Sequence, residues 1–187
     1  MRKGTEKVQR KNPQVNKRTE TIARAIILIL PLIILSHIHF EFRPLQELLF
    51  QQVTLLLKIA GVQFETFGYT ISTANFSSVL AFDCTGWRQL YLFFALVMLP
   101  PGIEAAKRAK ALWLLIPLYI YNTFRAFTSI WIGTVNYELF GFVHYFLWEF
   151  VFLALIFVSW YWWYRNSVKP PRGNKLSNRA LKNRQKE

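Results

Sequence analysis

The sequence predicts an all-α membrane protein: a four-span helical bundle with an external interfacial helix and a small hairpin between spans one and two. Three observations predict it. The chain of 187 residues is 53% hydrophobic and 17% aromatic, yet carries a formal net charge of +13, a combination foreign to ordinary soluble domains. Its apolar residues gather into four runs, at 22–40, 87–101, 112–132 and 142–164. At about 1.5 Å of helix per residue each run is roughly membrane-thick. Most of its basic residues gather at the ends of these runs: eight Lys or Arg in 1–24, three in 102–110 and eight in 165–187, which is 19 of the 23. Cytoplasmic segments collect Lys and Arg, so these three segments share the cytoplasmic side. Two spans must then separate each pair, which gives four spans with both termini cytoplasmic.

The elements follow in order. Residues 1–21 form a basic cytoplasmic tail, poor in apolar residues and drawn to anionic lipid headgroups. The first run has no small-residue cleavage site after it and reads as a retained span, not a removed signal peptide. His37 and His39 near its end are two residues apart, point to different sides of a helix and cannot chelate a metal from one face; they read as interfacial. Residues 45–59, LQELLFQQVTLLLKI, are apolar but too short for a span, and they contain Glu47, Gln51, Gln52 and Lys58. An interfacial or re-entrant helix fits better. A fifth span here would also put the Lys107 loop and the basic C-terminal tail outside. Residues 61–82, with Gly61, Gly68 and a partly alternating pattern, predict a small hairpin on the outer surface. Pro117 should bend the third span. Trp160, Tyr161, Trp162, Trp163 and Tyr164 form an aromatic belt at the cytoplasmic exit of the fourth, and residues 165–187 are a second basic tail. The membrane domain is therefore 22–164.

Composition also excludes functions. One cysteine rules out an intramolecular disulfide framework, and no Cys/His spacing resembles a zinc site, so no metal or other cofactor is implied. The basic charge flanks spans without aromatic interleaving, which points to membrane lipids and not to nucleic acid.

With this topology three chemically active residues reach one layer near the outer headgroups. Cys84 lies just before the second span, Arg125 two turns before the outer end of the third, and His144 in the first turn or so of the fourth. A thiol at a helix N-terminus has its thiolate favoured by the helix dipole, and a cation such as Arg125 or Arg88 adds to that, while Asp83 opposes it. A histidine can take the thiol proton and return it to a leaving amine, and a guanidinium can stabilise an oxyanion. Each residue also has a plainer reading. A lone membrane cysteine is as a rule a small hydrophobe, a histidine near an interface can simply sit among headgroups, and Arg125 could snorkel. A guanidinium inside a span is expensive, however, and normally faces the bundle interior. Asn122, one turn before Arg125 on the same face, could hold the guanidinium in one pose. Glu149, five residues beyond His144 and off its α-helical face, could pair with a cation or carry a proton.

The run DCTGWR at 83–88, then NTFR at 122–125 and a histidine at the head of the next span, resembles the exosortase/archaeosortase family of membrane transpeptidases. The resemblance covers about 64–164, and the Cys-Thr-Gly form is closer to archaeosortases than to the Cys-Ser-Gly common in bacterial exosortases. It implies a sorting enzyme. Such an enzyme recognises, on exported proteins, a C-terminal signal of short motif, transmembrane helix and basic cluster. Cys84 would cut at the motif, hold the substrate as a thioester and pass it to an acceptor, possibly a lipid. Arg125 and His144 would be its catalytic partners, and Thr85, Gly86, Arg88 and Asn122 would support them. The second run spans only about 22 Å, so Cys84 should lie below the outer surface, beside a lateral opening lined by residues such as Phe93, Phe94 and Phe127. Three rivals remain: a small membrane transporter or channel using Arg125 and Glu149, a non-catalytic scaffold, and an acyltransferase acting on lipid thioesters. The scaffold leaves the buried arginine unexplained. The acyltransferase would have its cysteine on the wrong side of the membrane for acyl-CoA.

Overall fold

The computed structural model describes residues 13–37 and 41–168. The tail expectations for 1–12 and 169–187, and that for His39, lie outside the described residues. The described chain is mostly helical with one small sheet.

Helix α1, Pro13–His37, has apolar residues on every side, with Ile22, Ile26, Ile27 and Leu30 all exposed. It touches the rest of the fold through α3, where Tyr91 donates its hydroxyl to the Leu28 carbonyl at 2.8 Å. That carbonyl lies three residues before Pro31, where a proline ring disturbs the helical ladder and loosens acceptors.

Helix α2, Arg43–Ile59, starts with Pro44 in its first turn, where the missing N–H costs nothing. It buries Gln46, Leu49, Val53 and Leu57, a stripe of three- and four-residue steps that marks one helix face. This face packs on Ile71 of the sheet and on Ala126 and Ile130 of α5, Leu115–Val135. Gln52 accepts hydrogen bonds from Tyr119 at 2.9 Å and Thr123 at 3.1 Å. Its opposite face, with Glu47, Gln51 and Lys58, is exposed.

The expected hairpin has a third strand. β1 Glu65–Phe67, β2 Thr70–Ser72 and β3 Ser77–Val79 form an antiparallel meander in the order β1-β2-β3. Three-residue strands are too short for alternation to appear in the sequence, and Ile71 alone is fully buried among them. A 3₁₀ turn, Phe82–Thr85, then leads into α3, Trp87–Met98.

Helix α4, Ala105–Leu112, closes the other end of α3. Arg108 donates to the carbonyl of Met98 at 2.6 Å, the last residue of α3, and to those of Pro100 at 2.6 Å and Ile103 at 3.2 Å in the turn that follows. α4 also holds the far end of the last helix, since Trp163 donates to the Lys107 carbonyl at 3.0 Å and Lys107 to the Ser167 carbonyl at 3.2 Å. Pro117 does not bend a span. It occupies the first turn of α5, where proline fits without breaking a hydrogen bond.

Helices α6, Tyr137–Phe142, and α7, Trp148–Ser167, are joined by a π-helical turn, Val143–Leu147, into one helix of 31 residues. Asn136 caps it by accepting from the Leu139 N–H at 3.0 Å. This start lies five residues before the predicted one, so His144 sits two turns into the helix and not in its first turn. Helices α3 and α7 run side by side in the same direction, Gln89 meeting Glu149 and Leu96 meeting Trp160. Phe93, Val97, Leu118, Phe152 and Ile156 fill the core between them and α5.

Two helical stretches, Thr19–His37 and Tyr137–Ser167, are long and apolar enough to cross a membrane, and α3 is a shorter apolar helix. α5 is long enough at 21 residues, but it buries Asn122, Thr123, Arg125 and Ser129 while exposing Ile116, Ile120, Phe124, Trp131 and Val135. Its polar side faces protein and its apolar side faces out.

Candidate active site

The turn that carries Cys84 is built by its neighbours. The Cys84 N–H donates to the Ala81 carbonyl at 2.9 Å, and the buried Thr85 hydroxyl donates to the Phe82 carbonyl at 2.7 Å. Gly86 then reverses the chain into α3 with φ +70, a left-handed conformation that side chains strain. A Cβ there would also lie 2.7 Å from the Asn122 Oδ1 and 3.1 Å from the Phe152 ring. Thr85 and Gly86 thus shape the turn and leave its chemistry to Cys84. Gly86→Ala should destabilise the protein by about 1–3 kcal/mol, read as a lower thermal midpoint in detergent. An unchanged midpoint would mean that the turn relaxes freely.

Asn122 does not hold Arg125. It is fully buried and donates to the Cys84 carbonyl at 2.9 Å, so it ties the cysteine turn to α5. Arg88 does not reach the thiol either. It pairs with Asp83 at 3.0 Å, lies over the Trp87 ring and is half-exposed, a surface pair that draws Asp83 outward.

Arg125 is 5% exposed and projects from the inner face of α5. Its Nη1 donates to Glu149 at 3.2 Å, while its Nε is buried without a partner. Glu149 accepts a second bond, from Gln89 at 2.7 Å. In a regular α-helix a five-residue step from His144 turns about 140° away, which is why Glu149 reads as off-face in the sequence. A π turn closes its hydrogen bond over five residues, so Val143–Leu147 carries Glu149 back toward the His144 side. His144 lies within electrostatic reach of both Arg125 and Glu149. Its ring stacks on Phe140 at 5.1 Å, and its Nδ1 is buried without a hydrogen-bond partner.

Cys84, Arg125 and His144 line one cavity of about 380 Å³, together with β3 and Ser129. Three elements far apart in sequence, the 3₁₀ turn, α5 and the π turn, therefore present a thiol, a guanidinium and an imidazole to one space. Phe93 does not border an opening: it is fully buried in the core, whereas Phe127 packs at the edge of the α2–sheet cluster. Ser129, one turn beyond Arg125 on the same face, was legible from helical spacing, and its buried hydroxyl also lacks a partner. Gln89 carries no sequence signal, because its partner lies 60 residues away.

Burial pushes the Cys84 thiol above its ordinary pKa, Arg125 pulls it down by less, and Asp83 adds a small upward push. Burial thus outweighs the nearby cation and favours the thiol over the thiolate, so attack calls for a base, the part expected of His144. Alkylation of Cys84 by iodoacetamide should rise with pH through a midpoint above the roughly 8.5 of a free cysteine. Arg125→Gln removes the cation that favours the thiolate, so it should move the midpoint higher still. A wild-type midpoint near neutrality would show that a thiolate is preformed.

No protein-family model, curated protein or solved structure matches this chain.

Proposed function

We propose that this protein is a membrane-embedded cysteine peptidase and transpeptidase of the exosortase/archaeosortase type, cleaving C-terminal sorting signals of exported proteins. The observation that carries the reading is the single cavity lined by Cys84, Arg125 and His144. In this reading His144 takes the thiol proton as Cys84 attacks the scissile carbonyl, and Arg125 steadies the oxyanion. Collapse expels the downstream amine, which takes the proton from His144, and leaves the upstream protein as a thioester on Cys84. An acceptor nucleophile, such as one carried by a lipid, then releases it.

The same reading makes α1, α3, α5 and the α6–α7 helix four spans, with α2 and the sheet on the outer side and both termini in the cytoplasm. It is supported by the outward apolar faces of α1, α5 and α7, since large contiguous exposed apolar surface needs a partner phase. It is also supported by the gathering of basic residues at one end, where Arg24 electrostatically opposes Arg108 and where α4 meets the end of α7. In this reading α3, with 12 residues or about 18 Å against a hydrocarbon core of about 30 Å, would draw Cys84 below the outer headgroups.

The test is co-expression with an exported protein from the same genome that ends in a short motif, an apolar helix and a basic cluster. Cleavage beside the helix, with an acyl adduct on Cys84 that neutral hydroxylamine removes, supports the reading. If every such protein stays intact while Cys84 remains open to alkylation, the reading fails. The Arg125–Glu149 pair favours a second reading, a small transporter or channel with a polar path through the membrane. That reading makes Cys84 dispensable.

A further inference from the structure

The register of the small sheet leaves one row of backbone groups unused, and that row borders the cavity. In the β2–β3 pair, the Leu80 N–H donates to the Tyr69 carbonyl at 2.9 Å and the Thr73 N–H to the Phe76 carbonyl at 2.7 Å. Opposite residues are Thr70 with Val79, Ile71 with Ser78 and Ser72 with Ser77. Antiparallel pairs alternate between hydrogen-bonded and non-hydrogen-bonded, so Phe76, Ser78 and Leu80 turn their backbone groups toward β2. Ser77 and Val79 turn theirs the other way. β3 is the edge of the sheet, and among the described residues no backbone group pairs with the Ser77 N–H, the Ser77 carbonyl or the Val79 N–H. Only the Val79 carbonyl is used, by the Ala81 N–H at 3.0 Å. Ser77, Ser78 and Val79 line the same cavity as Cys84, and the chain passes from Val79 to Cys84 within five residues.

We propose that the free edge of β3 is the substrate-docking site, and that an extended peptide adds to it as a fourth strand and delivers its scissile carbonyl to Cys84. Strand addition of this kind takes its affinity from main-chain hydrogen bonds and its specificity from pockets for alternate side chains. The occupant is the peptide upstream of the cleaved bond, and it runs parallel to β3, because that segment must approach Cys84 while the downstream helix continues away. β3 is three residues long, so the edge seats a short motif. The sheet is held rigid for this purpose: Phe76, just before β3, packs so closely on α5 that a Cβ on Gly133 would lie 2.6 Å from its ring. The same helix carries Arg125, so edge and guanidinium keep a fixed relation.

This inference deepens the peptidase reading and rests on it for the identity of the occupant. Its test reads alkylation alone, so that the two can fail separately. Purified protein in lipid nanodiscs is treated with trialanyl chloromethyl ketone, and the rate of Cys84 labelling is divided by that with iodoacetamide. The peptide reagent should label at least about tenfold faster than chloroacetone, which has the same warhead and no strand to pair. Methylating the backbone nitrogen of one of two adjacent alanines should abolish the acceleration, while methylating its neighbour should leave it, the alternation of a strand. Val79→Pro removes an N–H that faces away from β2, a substitution edge strands admit, and should lower the normalised rate about tenfold. Should that variant misfold, the methylation series on the wild-type protein decides. Equal effects of methylation at both alanines, or no acceleration at all, overturn the proposal. So does a dimer of this chain that Val79→Pro dissociates, which would assign the edge to a second copy. Labelling that follows the alternation in a protein that cleaves no sorting signal would keep the docking edge and discard the peptidase.

Discussion

Cys84→Ser should abolish cleavage of a sorting-signal substrate, with a fall of about 10³-fold or more, while the protein still inserts and folds. A serine hydroxyl is a far weaker nucleophile than a thiol near neutral pH, and the site has no group placed to compensate. Burial pushes the Cys84 thiol above its ordinary pKa, so attack depends on transfer of its proton to a base. The sulfur acidity that makes this transfer feasible is lost with oxygen. The swap is small in volume, and the backbone bonds that fix the turn, from the Cys84 N–H to Ala81 and from Asn122 to the Cys84 carbonyl, do not involve sulfur. Loss of activity with an unchanged thermal midpoint therefore reads chemistry and not collapse. His144→Ala should resemble it in size, because residues acting as one unit lose function together and the double variant should be little worse than either alone. Retained cleavage in Cys84→Ser would remove the cysteine from the mechanism, and retained transport of a solute would favour the channel reading.

Much of this site is legible in the sequence for a plain physical reason. Helical spacing places Asn122, Arg125 and Ser129 on one side of α5, and an arginine in an apolar run has few places to go other than inward. The helices at 43–59, 87–98 and 115–135 follow from apolar runs interrupted by Gly, Pro and charge. What cannot be read is anything set by pairing across the fold. Asn122 lies one turn before Arg125 on the same face, which points it at the guanidinium, yet its partner is a backbone carbonyl 38 residues earlier. Arg88 is close enough in sequence to serve the thiol as a cation, but an acid five residues away captures it first. At 3.6 residues per turn Glu149 falls off the His144 face, and a π turn has no sequence mark that reveals it. β3 is invisible to periodicity because three residues are too few to establish a period.

The last expected result separates the charge of Arg125 from its shape. The pair with Glu149 gives the guanidinium an ordinary structural purpose, to keep a carboxylate from standing unpaired beside the core. If that were its whole purpose, Arg125→Lys would keep the positive charge and most of the activity, and Glu149→Gln would rescue Arg125→Gln by removing the acid that needs neutralising. The geometry argues for more. One face of the guanidinium, through Nη1, is spent on Glu149, and the Nε proton remains buried without an acceptor on the residue that lines the cavity with Cys84. A planar fork can hold the acid with one edge and offer the other to a developing oxyanion, whereas an ammonium is a mobile point charge on a different stem. Arg125→Lys should therefore lower single-turnover cleavage about 10²-fold or more, the loss typical of an oxyanion donor. Glu149→Gln should cost far less, because glutamine still accepts a hydrogen bond from Arg125, and it should not rescue Arg125→Gln. The measurement is a double-mutant cycle on the cleavage rate, run beside thermal midpoints for each variant. A lysine variant within about threefold of wild type, or full rescue in the double variant, would assign Arg125 to the fold alone, since a threefold change is well under about 1 kcal/mol. A large loss without rescue places the guanidinium on the reacting carbonyl and makes Glu149 the group that aims it.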